Sequence, residues 1–128
     1  MAKSKIYDHL EQIAQTEFAE ILVNTKKEIS PKGESTKLRL TFIDGSFVDV
    51  FFSRKGQYNY HWQRGKEIYR WDNADHWPDI STHPKHCHSG SDKNVMESAI
   101  SDIPEEALRS ILSFLRDNKI TPHHAAKE

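Results

Sequence analysis

Residues 38–52 read LRLTFIDGSFVDVFF, and this stretch decides the fold of the chain. Apolar and polar residues alternate from Leu38 to Phe42, and a second β-rich run extends from Ser46 to Phe52. Asp44-Gly45 stands between the two runs, where a two-residue hairpin turn needs a positive φ. The stretch therefore predicts a β-hairpin.

The neighbouring residues predict more strands of the same sheet. Two of them span residues 57–63 and 66–72, after tight turns at Arg54-Lys-Gly56 and Arg64-Gly65. The run from Glu17 to Ser30 is rich in β-branched residues and stops before a Pro-Lys-Gly turn, which favours a fifth strand. The expected sheet is an antiparallel meander of four or five strands.

The turn at Arg64-Gly65 also predicts which residues share a face. A two-residue loop there would place Tyr60 opposite Tyr69 and Tyr58 opposite Trp71. These aromatic side chains would form one face of the sheet. The opposite face would present Asn59, His61, Arg70 and Asp72.

Both ends of the chain predict amphipathic helices. The first runs from Lys3 to about Gln15, and the second follows a cap at Ser101 or Asp102. The second helix carries an apolar stripe formed by Ala107, Leu108, Ile111, Leu112 and Leu115. We therefore expect one α+β domain over residues 1–120, with a flexible tail over residues 121–128.

Composition narrows the class of protein. A chain of 128 residues is one ordinary domain, and a net charge of −1 gives no overall positive field for nucleic acid. Cys87 is the only cysteine, so no internal disulfide can form. No apolar stretch is long enough for a signal peptide or a membrane span. A protein of the reducing cytoplasm is expected.

A polar stretch follows the last predicted strand. Residues 71–88 read WDNADHWPDISTHPKHCH and contain four histidines, His76, His83, His86 and His88. No apolar periodicity continues through it, so a long His-rich loop over one sheet edge is predicted. Loops carry chemistry disproportionately, and imidazole transfers protons near neutral pH.

Acid–base cleavage of RNA fits these residue types. Attack by a 2′-hydroxyl on the adjacent phosphate needs a base, an acid and a cation, and it needs no metal or other cofactor. His86 together with His76 or His88 would exchange the protons, and Arg70 would stabilise the phosphate. Asp72 or Asp79 could orient an imidazole. The expected substrate contacts are Asn73, His61, Asn59 and Lys85.

Other interpretations remain open. The spacing His83-x-x-His86-x-His88, with Cys87 inside it, suggests a metal site, although structural zinc sites usually draw ligand pairs from two segments. The aromatic face could instead bind a protein or single-stranded nucleic acid, helped by basic turns at Arg54-Lys55 and Arg64. Arg70 and Asp72 can also be an ordinary cross-strand charge cluster.

Three motifs make the sequence resemble the TumE family of small toxins from prokaryotic toxin–antitoxin modules. They are Tyr60-His-Trp-Gln63, Tyr69-Arg-Trp-Asp-Asn-Ala-Asp-His76 and Thr82-His-Pro-Lys-His-Cys-His88. The likeness extends from about Leu38 to Leu115. Lys85 departs from the pattern, since many relatives have histidine there, and His83 lies outside it.

This resemblance implies a growth-inhibiting protein that a cognate antitoxin holds inactive. RNA is the implied target by analogy with other toxins of this size. A homodimer is left open. The family pattern falls on Arg70, Asp72, Asn73, His76, Pro84, His86 and His88.

Overall fold

The computed structural model describes residues 3–120, which form two helices and one seven-stranded antiparallel sheet. The helices are α1 (Lys3–Glu17) and α2 (Pro104–Asn118). The strands are β1 (Leu22–Ile29), β2 (Ser35–Phe42), β3 (Phe47–Phe52), β4 (Tyr58–Arg64), β5 (Glu67–Asp72), β6 (His86–Gly90) and β7 (Val95–Glu97). Each strand pairs with the next one in the chain, so the predicted α+β meander is confirmed with more strands than expected.

The predicted hairpin at residues 38–52 is confirmed as β2 and β3. Leu38 lies opposite Val50, and Leu40 lies opposite Val48. The Phe42 amide donates to the Ser46 carbonyl, so the loop has three residues, 43–45, instead of the predicted two. Gly45 closes this loop at φ 84°, a left-handed conformation that glycine adopts without a steric penalty.

The predicted register between β4 and β5 is wrong by two residues. Trp62 lies opposite Tyr69 and Tyr60 opposite Trp71, because the turn consists of Gly65 and Lys66. Side chains alternate between faces with a period of two, so an even shift leaves every residue on its predicted face. The aromatic and polar faces are therefore as expected.

The helices cover the aromatic face of the sheet and form the core with it. Tyr60 and Trp62 are almost fully buried there, and Tyr58 and Trp71 are nearly so. The predicted stripe of α2 is buried against them, and Phe114 contacts Tyr69 with ring centroids 5.3 Å apart. These aromatic side chains pack in the core, so they are not available to stack on unpaired bases as the alternative binding module required.

The predicted long His-rich loop is shorter than expected. Strand β6 begins at His86, so the loop covers only residues 73–85. Residues 91–94 form the turn between β6 and β7, and Gly90 at the end of β6 has φ 86°. Short strands with polar residues on one face lack the apolar alternation that identified the other strands, which explains why these two were missed.

The start of α2 differs in detail from the prediction. Ile103 occupies the N-cap position without a side-chain cap bond, and the Ser101 hydroxyl accepts the Ile103 amide instead. The first turn carries Glu105 and Glu106, whose negative charges suit the positive end of a helix. Neither helix within residues 3–120 has the length and hydropathy needed to cross a membrane. The predicted tail at 121–128 lies outside the described residues.

Candidate active site on the face opposite the helices

Two rows of polar side chains cross strands β4, β5 and β6 on the face opposite the helices. The rows are Asn59, Asp72, His86 and His61, Arg70, His88. Within each row the residues are direct cross-strand neighbours, close enough for their side chains to touch. The register therefore brings the predicted arginine, carboxylate and two of the imidazoles together.

Asp72 is the centre of this cluster. Its Oδ1 accepts the Ala74 amide at 3.0 Å and lies 3.0 Å from His86 Nε2. Its Oδ2 accepts Arg70 Nε at 3.2 Å and lies 3.8 Å from His88 Nε2. Asp72, His86 and His88 are 6%, 2% and 4% exposed. A buried carboxylate thus has a cation and two imidazoles for partners, which offsets its desolvation.

Backbone carbonyls determine the tautomers of the two imidazoles. His86 Nδ1 donates to the Pro84 carbonyl at 3.0 Å, and His88 Nδ1 donates to the Asp92 carbonyl at 2.9 Å. A carbonyl can only accept, so each Nδ1 carries a proton. The Nε2 atoms of both rings consequently face Asp72.

Arg70 makes three polar contacts. Besides Asp72 it donates from Nη2 to His88 Nε2 at 3.1 Å and from Nη1 to the exposed Asp92 carboxylate at 3.0 Å. A guanidinium has no acceptor, so His88 Nε2 must be unprotonated. In agreement, burial lowers the pKa of His88, and the positive charge of Arg70 lowers this pKa further.

The cluster borders a surface cavity of about 340 Å³. Trp77 forms one wall, with its ring edge-on to the rings of His86 and His88 at centroid distances of 6.3 Å. His76 also lines the cavity and is exposed. The other lining residues are Phe51, Gln57, Tyr58, Asn59, Arg70, Asp72, Asn73 and Ala74. A small polar substrate group can therefore reach the cluster from solvent.

Of the four predicted substrate contacts, only the two asparagines line this cavity. Asn59 and Asn73 line it, but the Asn73 amide bonds the backbone of residues 56 and 58 with both of its ends. His61 bonds Gln63 at 3.0 Å and does not border the cavity. Lys85 also lies outside the lining, with its ammonium 3.4 Å from Asp102. The asparagines are thus at the cavity, while His61 and Lys85 are beside it.

The residues of the candidate metal centre are not those that the sequence suggested. Ligand atoms of Asp72, His86 and His88 lie within 4.8 Å of one another. His83 instead pairs with Asp75, outside this group. Cys87 faces the core side of β6, and burial raises the pKa of its thiol to about 11, as expected for an inert cysteine.

Two features of the site were not foreseen. Trp77 and Phe51 border the cavity, although neither was a candidate residue. The strand that carries His86 and His88 was also missed. Their spacing of two, with apolar Cys87 between, is itself a strand pattern, and it could have predicted that both imidazoles share one face.

A family model described as Toxin TumE matches residues 7–121, which include both rows and the whole loop over residues 73–85. No curated protein and no solved structure matches the chain.

Proposed function

The chain belongs to the TumE toxin family, and from this membership we propose that it is the toxin of a toxin–antitoxin module and that it cleaves RNA without a metal ion. The observation that supports cleavage is the meeting of Arg70, Asp72 and His86 at a cavity open to solvent. A cation, a carboxylate and an imidazole within contact distance are the groups that phosphodiester cleavage needs.

In the proposed reaction His86 is the general base. Its Nδ1 donates to the Pro84 carbonyl and holds the ring, so Nε2 exchanges the proton. The 2′-hydroxyl enters between Nε2 and Asp72 Oδ1, and the negative charge of Asp72 then stabilises the imidazolium. Nε2 takes the proton of the ribose 2′-hydroxyl as O2′ bonds to phosphorus. The P–O5′ bond breaks, which leaves a 2′,3′-cyclic phosphate and a 5′-hydroxyl.

The leaving 5′-oxygen needs a proton from a second group. We assign this role to His76, because it lines the cavity and is exposed. The lone pair of His88 Nε2 already accepts a hydrogen bond from Arg70, whereas His86 Nε2 faces a carboxylate oxygen, so His88 would hold the guanidinium in position. Arg70 would stabilise the negative charge of the phosphorane. Asn59 would contact the substrate within the cavity, and Asn73 would hold the cavity wall.

Family membership also supports a partner. A cognate antitoxin would bind this chain and suppress its activity, and the target RNA would place both proteins in the cytoplasm. Expression in bacteria tests this part of the proposal. Induction of the wild-type chain should arrest growth, co-expression of a cognate antitoxin should restore it, and Arg70→Ala should not arrest growth. Equal arrest by wild type and Arg70→Ala would contradict the assigned site.

Cleavage itself is tested with purified protein in the presence of a chelator. Wild type should cut single-stranded RNA, and the product should carry a cyclic phosphate. His86→Ala should lower the rate by about 10²–10⁴-fold, as loss of a general base does. His83→Ala is the matched control, because His83 pairs with Asp75 outside the cluster, and it should keep the wild-type rate. Equal rates for wild type and His86→Ala would refute the mechanism.

A further inference from the structure

We propose that Asp72, His86 and His88 form a binding site for one divalent transition-metal ion, with zinc as the ion to test. The site goes beyond the proposed function, which needs no metal. Two imidazole nitrogens and one carboxylate oxygen are a ligand set that zinc and related ions accept. All three side chains are buried, on adjacent strands β5 and β6.

The distances between the ligand atoms suit a single ion. Around a tetrahedral zinc with bonds of about 2.0–2.1 Å, neighbouring ligand atoms are about 3.3 Å apart. His86 Nε2 lies 3.0 Å from Asp72 Oδ1, and His88 Nε2 lies 3.8 Å from Asp72 Oδ2. These two distances end on different oxygens of Asp72. Three ligand atoms, one from each residue, lie within 4.8 Å of one another, so an ion would draw them together by up to about 1.5 Å.

The surroundings of the imidazoles are those of metal ligands. Ligating histidines usually donate their second ring nitrogen to a carbonyl or carboxylate, which fixes the tautomer. His86 and His88 both do so, through the carbonyls of Pro84 and Asp92. This leaves Nε2 of each ring for the ion. Because the cluster borders the cavity, a fourth position would stay open to water or substrate.

The metal-free geometry gives an independent reason to expect a cation between His86 and Asp72. Nε2 of a neutral His86 and the Asp72 carboxylate are both acceptors, and at 3.0 Å two acceptors repel unless a positive charge lies between them. A proton can supply that charge, and so can a metal ion. The two are therefore alternatives at one position.

Arg70 competes with the ion. Its Nη2 donates to His88 Nε2, the same lone pair that a metal would use, and its charge lies beside the site. The contact of Nη1 with Asp92 gives the guanidinium a second carboxylate when it leaves His88. Removing Arg70 should therefore strengthen metal binding, whereas removing a ligand should abolish it.

A consequence for activity rests on the proposed function. A bound ion would occupy His86 Nε2, the nitrogen assigned as general base, so zinc should inhibit the metal-free cleavage. The site would then couple the activity of the toxin to the free concentration of a transition metal.

The test uses full-length protein without an affinity tag, stripped with chelator and titrated with Zn²⁺ by calorimetry and with Co²⁺ by visible absorption. We expect one equivalent bound by wild type and by the control His83→Ala. His86→Ala and His88→Ala should each weaken binding by at least about 100-fold, since even loss of an outer-shell partner costs 10–100-fold. Circular dichroism must show that each variant is folded.

Arg70→Met keeps the proposal testable even if the ligand variants unfold. It should tighten Zn²⁺ binding by roughly tenfold, because a like charge is removed from beside the ion. Absence of saturable binding by wild type, binding that survives in folded His86→Ala and His88→Ala, or weaker binding by Arg70→Met would each overturn the site.

Cleavage assays separate this proposal from the proposed function. Activity in chelator that stops on addition of one equivalent of Zn²⁺ supports both proposals. Metal binding by a protein that is inactive in chelator keeps the site and overturns the metal-free mechanism. Activity in chelator by a protein that binds no Zn²⁺ keeps the mechanism and overturns the site.

Discussion

Replacing Asp72 by asparagine tests whether the buried carboxylate holds the cluster together. Asparagine has nearly the same shape, so packing is preserved, but one carboxylate oxygen becomes an NH₂ donor. Asp72 Oδ1 accepts from Ala74, and Oδ2 accepts from Arg70. Either orientation of the asparagine amide therefore turns a donor towards another donor, and the negative charge beside Arg70 is lost.

The expected cost follows from the bond to Arg70. Hydrogen bonds to charged groups contribute about 1.5–3 kcal/mol, so Asp72→Asn should lower the free energy of unfolding by about 2 kcal/mol. For a chain of this length that corresponds to a fall in Tm of roughly 6–10 °C. Asp92→Asn is the matched control. It removes the other carboxylate of Arg70, but the Asp92 side chain is 60% exposed, so we expect a loss below about 1 kcal/mol.

Urea denaturation followed by tryptophan fluorescence and circular dichroism measures both variants, and the RNA cleavage assay is run beside it. Asp72→Asn should lose both stability and cleavage, whereas Asp92→Asn should keep most of its stability. Equal stability of the two variants would show that the contacts of Asp72 carry no more free energy than a surface ion pair. Such a result would refute its place at the centre of the site.

Two further predictions concern the core and the cysteine. Tyr7 is buried, and its hydroxyl donates to the Thr36 carbonyl and accepts the Phe52 amide, so Tyr7→Phe should cost about 1–3 kcal/mol in urea denaturation. The buried Tyr58 hydroxyl has no hydrogen-bond partner among residues 3–120, so Tyr58→Phe should change the free energy of unfolding by less than about 0.5 kcal/mol. A larger loss for Tyr58→Phe than for Tyr7→Phe would contradict the hydrogen-bond argument. Burial raises the pKa of the Cys87 thiol to about 11, so roughly one thiol in a thousand is ionised at pH 8. A disulfide reagent should therefore react with Cys87 only after unfolding, and rapid labelling of the native protein would contradict this.

Local patterns in the sequence predict the first five strands and both helices, because the signals for these elements lie in residues that are neighbours in the chain. The alternation in residues 38–42 and the glycine at position 45 specify a hairpin before any tertiary contact is known. The α2 stripe similarly identifies the helix face that meets the sheet. The exact partners across β4 and β5 were not predictable, because one or two turn residues decide them and several turns suit Arg64-Gly-Lys66.

The last two strands could not be identified from apolar alternation. In β6 the side chains that face away from the helices are the buried imidazoles His86 and His88, which a hydrophobic pattern does not count. They are buried by Trp77 from the loop and by pairing with one another at 5.0 Å between ring centroids. Burial of polar residues by a non-local loop is a tertiary effect, so sequence periodicity contains little trace of it.

The site forms because β5 and β6 pair and each strand places two polar side chains, two residues apart, on the same face. Arg70 and Asp72 are two residues apart on β5, as are His86 and His88 on β6, so an antiparallel register has only to match one pair for the other to follow. Loop residues 73–85 set that match, and a slip of one residue would turn both imidazoles into the core. The sequence supplied the four side chains and the face on which two of them lie. Only the register shows that Asp72 meets both imidazoles while His83, three residues before His86, meets neither Arg70 nor Asp72 in the cluster.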